Sequence, residues 1–160
     1  MTDGVVELRV VGYGDPDATA LVARVQEEYV QRYGGPDETP LDPAMFDPPH
    51  GLFLVAYLDG MPVGTGAWRR SPVRELGGSS AAEIKRMYVV PEQRGHGLAR
   101  RVLAELEATA AASGYDLIVL ETGLAQPEAI ALYESSGYAR IPGFGHYAAS
   151  ELNRCYGKRL

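Results

Sequence analysis

Apolar and polar residues alternate over residues 5–11, which predicts a half-buried strand. Asp15-Pro16-Asp17 then reads as a turn and N-cap, opening a helix that runs to about Tyr33. On that helix Leu21, Val25, Glu28, Tyr29 and Arg32 recur at helical spacing as a mixed face, and Gly34-Gly35-Pro36 ends the pattern. Two strand-like runs, 52–58 and 62–70, flank Asp59-Gly60, a tight-turn signal for a hairpin. Residues 71–80, with Pro72, Gly77 and Gly78, read as a loop, and residues 83–90 as another strand. That strand breaks at Pro91, turns through two glycines and flows into a helix whose apolar stripe of Leu98, Val102, Leu103, Leu106 and Ala110 lasts until Gly114. Residues 117–122 are almost wholly apolar, as in a strand buried on both faces. A helix over about 127–136, with Pro127 in its first turn and Gly137 as its stop, precedes two last strands over 138–141 and 153–160. This order of elements predicts an α/β fold with a sheet of mixed direction.

With 160 residues, 46% of them hydrophobic and 22% charged, residues 1–160 are expected to form one compact domain. No apolar run approaches a membrane span, and residues 1–12 lack the basic start and apolar core of a signal peptide, so a cytoplasmic location is expected. A formal net charge of −6 argues against non-specific nucleic-acid binding. Cys155 is the only cysteine, so there is no internal disulfide and no Cys-cluster metal site, and its alternating surroundings read as strand filling. No His or carboxylate pair shows metal-ligand spacing. Acid is unevenly placed: residues 35–51 hold Asp37, Glu38, Asp42 and Asp47 without a Lys or Arg, in a Pro-rich stretch that reads as a solvated loop or, alternatively, a binding loop.

The strand-to-helix junction at residues 89–99 carries the candidate chemistry. Gly95 and Gly97 lack Cβ atoms, so backbone N–H groups can close around phosphate oxygens, while the next helix directs its free N–H groups and positive dipole end at them. Arg94 adds a positive charge. A dinucleotide fingerprint would need a third glycine where Arg100 stands, and no Gly-Lys-Ser/Thr of a Walker loop occurs. A plain strand-to-helix turn is the competing reading of this segment alone.

Three separated pieces resemble the GCN5-related N-acetyltransferases (GNAT). They are Arg94-Gly95-His96-Gly97-Leu98-Ala99, which is similar to the pyrophosphate loop Arg/Gln-x-x-Gly-x-Gly/Ala; the preceding Glu83-Ile84-Lys85-Arg86-Met87-Tyr88-Val89-Val90-Pro91, which is similar to the family's bulged central strand; and Glu128-Ala129-Ile130-Ala131-Leu132-Tyr133-Glu134-Ser135-Ser136-Gly137-Tyr138, which is similar to its Ala-x-x-Leu-Tyr-x-x-x-Gly-Phe/Tyr helix. The resemblance implies a mixed sheet of about seven strands with flanking helices and a splayed V-shaped gap for acetyl-coenzyme A. Met87, Tyr88 and Val89 would line the gap, an N–H near Val89 would polarise the acetyl carbonyl, and Arg94, Gly95, His96, Gly97, Leu98 and Ala99 would hold the pyrophosphate. Gln126 stands where the family usually has Asn, which moves the amide one methylene farther out.

The resemblance also implies roles in aminolysis of a thioester. Tyr133 would protonate or stabilise the leaving thiolate, or else only pack beside Ala129 and Leu132. Glu83 resembles the usual base position, although it reads equally as an exposed strand residue paired with a nearby Lys or Arg. His50 and His96 read as solvent-facing, and His146 lies in a region that often edges the acceptor pocket. The implied reaction is acetyl transfer from acetyl-coenzyme A to a primary amine, with a small-molecule acceptor that the acidic loop suggests is cationic. Acetylation of a protein N-terminus or lysine stays open, as does a non-catalytic acyl-coenzyme A sensor. Neither nucleic acid nor membrane is expected as a partner, and a homodimer is permitted.

Overall fold

The protein is described by a computed structural model over residues 4–160; residues 1–3, the start of the stretch read for a leader, lie outside the described residues. The elements follow one another as β1 (Val6–Val11), α1 (Pro16–Tyr33), β2 (Gly51–Leu58), β3 (Met61–Ser71), β4 (Ala81–Val89), α2 (Leu98–Ala112), β5 (Leu117–Gly123), α3 (Pro127–Ser135), β6 (Ala139–Ile141) and β7 (Asn153–Arg159), with short 3₁₀ turns at Pro43–Phe46 and Pro91–Gln93. Among the described residues the strands form one seven-stranded sheet in the order β1-β2-β3-β4-β5-β7-β6. All neighbours are antiparallel except β4 and β5, which run parallel and are joined through α2, as a parallel pair requires.

Local chemistry explains the boundaries. Asp15 caps α1, its side chain accepting from the N–H groups of Asp17 at 2.9 Å and Ala18 at 3.2 Å, Pro16 fills the first turn, and Gly34 closes the helix in the left-handed region. Asp59 and Gly60 both take positive φ, 50° and 82°, the condition for a two-residue turn whose twist suits the β2–β3 hairpin. β2 is buried along nearly its whole length, and Trp68 of β3 is 1% exposed, donating its indole N–H to Thr109 of α2 at 3.0 Å. A Cβ on Gly66 would lie 2.5 Å from Val102 of α2, so this position needs glycine for helix and sheet to close.

The acidic Pro-rich stretch is more than a solvated loop. Phe46, 1% exposed, stacks on Tyr13 at 5.3 Å and meets the edge of Phe53 at 5.8 Å, which anchors the segment to the core. Cys155 is buried in β7, where strand filling was expected. No helix among the described residues is long and apolar enough to cross a membrane.

Candidate active site

The site begins where the central sheet comes apart. β4 and β5 pair from Ala81↔Leu117 to Ile84↔Leu120 and no farther; beyond that point β5 continues beside β7 alone. On its other edge β4 holds to β3, with Ala67 opposite Lys85 but Thr65 opposite Tyr88, so β4 carries one extra residue there. Arg86 takes φ 55° within this bulge, and its carbonyl accepts the buried Thr65 hydroxyl at 2.7 Å. A bulge increases local twist, which accounts for the parting of β4 from β5. The opening is a cleft of about 750 Å³, lined by Met87, Tyr88 and Val89 from the bulged strand. Val90 N–H donates to Val63 carbonyl at 2.9 Å, so the alternation of the ladder turns the N–H and carbonyl of Val89, opposite Gly64, away from β3.

The glycine turn closes one end of this cleft. Gly95 and Gly97 have φ of 84° and 80°, and a Cβ built on either would meet nothing within 4 Å, so the space over the turn is open. Gly97 is the N-cap of α2 and offers no side-chain cap. Among the described residues, none of the backbone N–H groups of residues 95–100 donates within the chain. Such a run of free donors at a helix start suits an anionic ligand. Gly95, Gly97, Leu98 and Ala99 line the cleft, whereas His96 is exposed and outside it. Arg94 also lines it, but its guanidinium is held, Nη2 donating to Glu28 Oε1 at 2.7 Å and Nε to the Val89 carbonyl at 2.8 Å. The polar half of the mixed face predicted on α1, Glu28 and Tyr29, therefore forms a wall of the cleft.

Tyr133 of α3 lines the cleft with its side chain 4% exposed, braced edge-on by Tyr138 at 5.7 Å. Among the described residues its hydroxyl makes no hydrogen bond, and burial pushes its pKa well up, so it holds its proton. Gln126 lines the same wall, and its Oε1 accepts the Tyr33 hydroxyl at 3.1 Å.

Glu83 is placed differently from these. It is 5% exposed, does not line the cleft, and is gripped by Arg69 Nε at 3.2 Å and Lys85 Nζ at 3.3 Å, in line with the ion-paired alternative though buried rather than exposed. Among the carboxyls that line the cleft, the one beside the split is Glu121 of β5, just past the point of parting. Its Oε1 is buried without a partner, and burial raises its pKa to about 7, with Lys85 opposing and Glu83 and Asp37 reinforcing the rise. The sequence does hold a signal for it: an acid at the end of a strand otherwise read as buried on both faces.

Two loops form the outer rim. Asp37 binds Arg86 Nη1 at 3.0 Å; burial opposes its charge, but hydrogen bonds from Thr39 and the Arg86 guanidinium hold its pKa below the usual range. Of the four acids in the acidic stretch, only Asp37 and Glu38 line the cleft, and Asp42 caps the 3₁₀ turn through Ala44 N–H at 3.0 Å. Across the rim, Glu38 N–H donates to the Tyr147 hydroxyl at 2.8 Å. Tyr147 lines the cleft; the neighbouring His146 does not.

The geometry agrees with comparisons to known proteins. The model of the Acetyltransferase (GNAT) family matches residues 22–138. The chain is 41% identical over 101 residues to an IAA acetyltransferase of Azospirillum brasilense, covering 63% of each protein, so it spans less than two thirds of that relative's length. An uncharacterized N-acetyltransferase of Schizosaccharomyces pombe is 32% identical over 128 residues, 75% of this chain and 76% of that one. A crystal structure from Klebsiella pneumoniae, assigned as an acyl-CoA N-acyltransferase, superposes with a TM-score of 0.76 at 29% identity over 98% of both chains. Split sheet, glycine turn and family match converge: the chain belongs to the GNAT acetyltransferase family.

Proposed function

We propose that this protein transfers an acetyl group from acetyl-coenzyme A to the primary amine of a small molecule by direct attack on the thioester. The observation that carries this reading is the parted β4–β5 seam leading to the undonated N–H groups of residues 95–100. The cofactor's chemical demands fit that cleft: an open, donor-rich turn for the pyrophosphate, and an unpaired strand edge at Met87 and Val89 for an extended amide-bearing arm. When bound, acetyl-coenzyme A supplies an activated acyl carbon and a thiolate leaving group.

The chain's own groups cover the remaining steps. Glu121, with its pKa raised to about 7, takes a proton from the amine as the new N–C bond forms. Backbone N–H on the gap side of β4, with Val89 as the candidate, stabilises charge on the acyl oxygen. Tyr133 keeps its phenolic proton and gives it to the departing sulfur as the C–S bond breaks, then regains one from solvent. The balance is amine plus thioester to amide plus thiol. Glu83 serves as a positioning residue in this scheme, since Arg69 and Lys85 hold it outside the cleft. The Glu38–Tyr147 contact supports a small acceptor, because it ties two rim loops that an extended peptide would need apart.

Calorimetry with acetyl-coenzyme A, followed by thiol release across an amine panel, tests the reading. Binding together with amine-dependent thiol release is the expected result. Binding without release from any amine or peptide would favour a sensor, and turnover of peptides alone would favour a protein acceptor.

A further inference from the structure

Two buried cations stand on the bulge beside the cleft, and the chemistry above gives neither of them a contact with the acceptor. Arg86 has a side chain only 3% exposed, with Nη1 on Asp37, while Nε is buried without an acceptor. Lys85 has a side chain 8% exposed, and its one ion-pair partner among the described residues is Glu83 at 3.3 Å. Both residues line the same cleft as Glu121. A guanidinium offers five donors in a planar fork, so one carboxylate oxygen leaves most of that capacity unused. Leaving buried donors unmatched is unfavourable, as is the left-handed backbone of a non-glycine residue at Arg86.

The charges around these residues point the same way. Arg69, Lys85 and Arg86 are ion-paired with two carboxylates, Glu83 and Asp37, while the third carboxyl of the cluster, Glu121, has an oxygen without a partner and is open to the amine. A purely cationic acceptor would meet Glu121 but leave the buried Nε of Arg86 unmatched. An acceptor carrying its own carboxylate would complete the set.

Resting on the acetyl-transfer reading, we infer that the acceptor is a small amino carboxylate, whose carboxylate is received by Arg86 and Lys85 while its amine lies against Glu121. An amino acid zwitterion has this pairing of groups separated by one or two carbon atoms, and it matches cations on the β4 bulge with a proton acceptor across the seam on β5. A peptide N-terminus or a lysine side chain within a protein would bring the amine without the carboxylate.

The test compares matched acceptors on the wild-type protein: free α- and β-amino acids, their carboxamides, and the corresponding decarboxylated amines, read by thiol release. The free acids are expected to exceed both analogues in kcat/KM by about 100-fold, the discrimination a site built around buried charged donors gives. Arg86→Gln is expected to raise KM for the free acid by a similar factor and leave acetyl-coenzyme A affinity unchanged by calorimetry. Arg86→Lys, which keeps the charge but loses the fork, is expected to fall between. Equal or better turnover of carboxamides or simple amines would overturn the amino-carboxylate inference and leave acetyl transfer standing. Failure of every amine to release thiol would overturn both. Because the matched acceptors need no variant, a misfolded Arg86→Gln protein does not decide the outcome.

Discussion

The Thr65 hydroxyl donates to the carbonyl of Arg86 at 2.7 Å, at the place where β4 carries one residue more than β3. Thr65 is fully buried, so this bond holds the bulge without help from water. Thr65→Val keeps the shape and leaves the Arg86 carbonyl unmatched. Stability is expected to fall by about 1–2 kcal/mol, read as a lower urea midpoint with an unchanged m-value. An unaltered midpoint would show that the bulge holds itself.

Glu121→Gln tests the proton acceptor in two independent ways. Wild-type kcat/KM is expected to rise with pH through about 7 as Glu121 loses its proton. The variant is expected to lose about 100-fold in rate together with that limb of the profile.

Folding stability reports the same group with a definite sign. The folded pKa of Glu121 lies above its ordinary 4.5, so the protein binds the proton more tightly when folded. Its favourable contribution is full below 4.5 and is lost as pH rises through about 7. Glu121→Gln is therefore expected to be more stable than wild type by about 1–2 kcal/mol at pH 8, after allowance for partial solvent screening. The gap should close towards pH 4.5; a constant difference in Tm from pH 4.5 to 8 would contradict the raised pKa.

Tyr133→Phe removes one hydroxyl that bonds to nothing else among the described residues, so the packing against Tyr138 survives. kcat is expected to drop by about 100-fold, with acetyl-coenzyme A affinity within about 3-fold of wild type. A variant with wild-type kcat would reduce Tyr133 to a packing role.

Gly97→Leu tests the anion site. With φ at 80°, any side chain strains the backbone, by about 1–2 kcal/mol, and a branched one also covers the open space above the turn. Acetyl-coenzyme A is expected to bind at least about 10-fold more weakly, while Gly97→Ala isolates the strain. Equal affinity in wild type and Gly97→Leu would remove residues 95–100 from the cofactor site.

Features set by neighbouring residues were legible in the sequence. Asp15, Gly34 and the Asp59-Gly60 turn act within a few positions of themselves, and the elements they bound fall where the pattern puts them. The glycine turn is likewise local, which is why its openness could be anticipated from Gly95 and Gly97. Glu121 and Glu83 are a different matter. Which of them faces the cleft depends on where β4 leaves β5, and that follows from the register of strands brought together across the sheet. The commitment of Arg94 to Glu28, and of Gln126 to Tyr33, joins residues far apart in the chain, and no spacing encodes those bonds. The pairing within the acidic loop was hidden for the same reason: Asp37 finds its partner in Arg86, a residue on another element.

Because β4 and β5 meet along only four residue pairs, the sheet is two blades joined at a short hinge, β1 to β4 on one side and β5 to β7 on the other. A molecule lying in the gap would touch both blades at once and take the place of the missing rungs. Occupancy of the site is thus written into the stiffness of the whole sheet, and slowed amide exchange on both sides of the hinge would register the arrival of a ligand before any chemistry occurs.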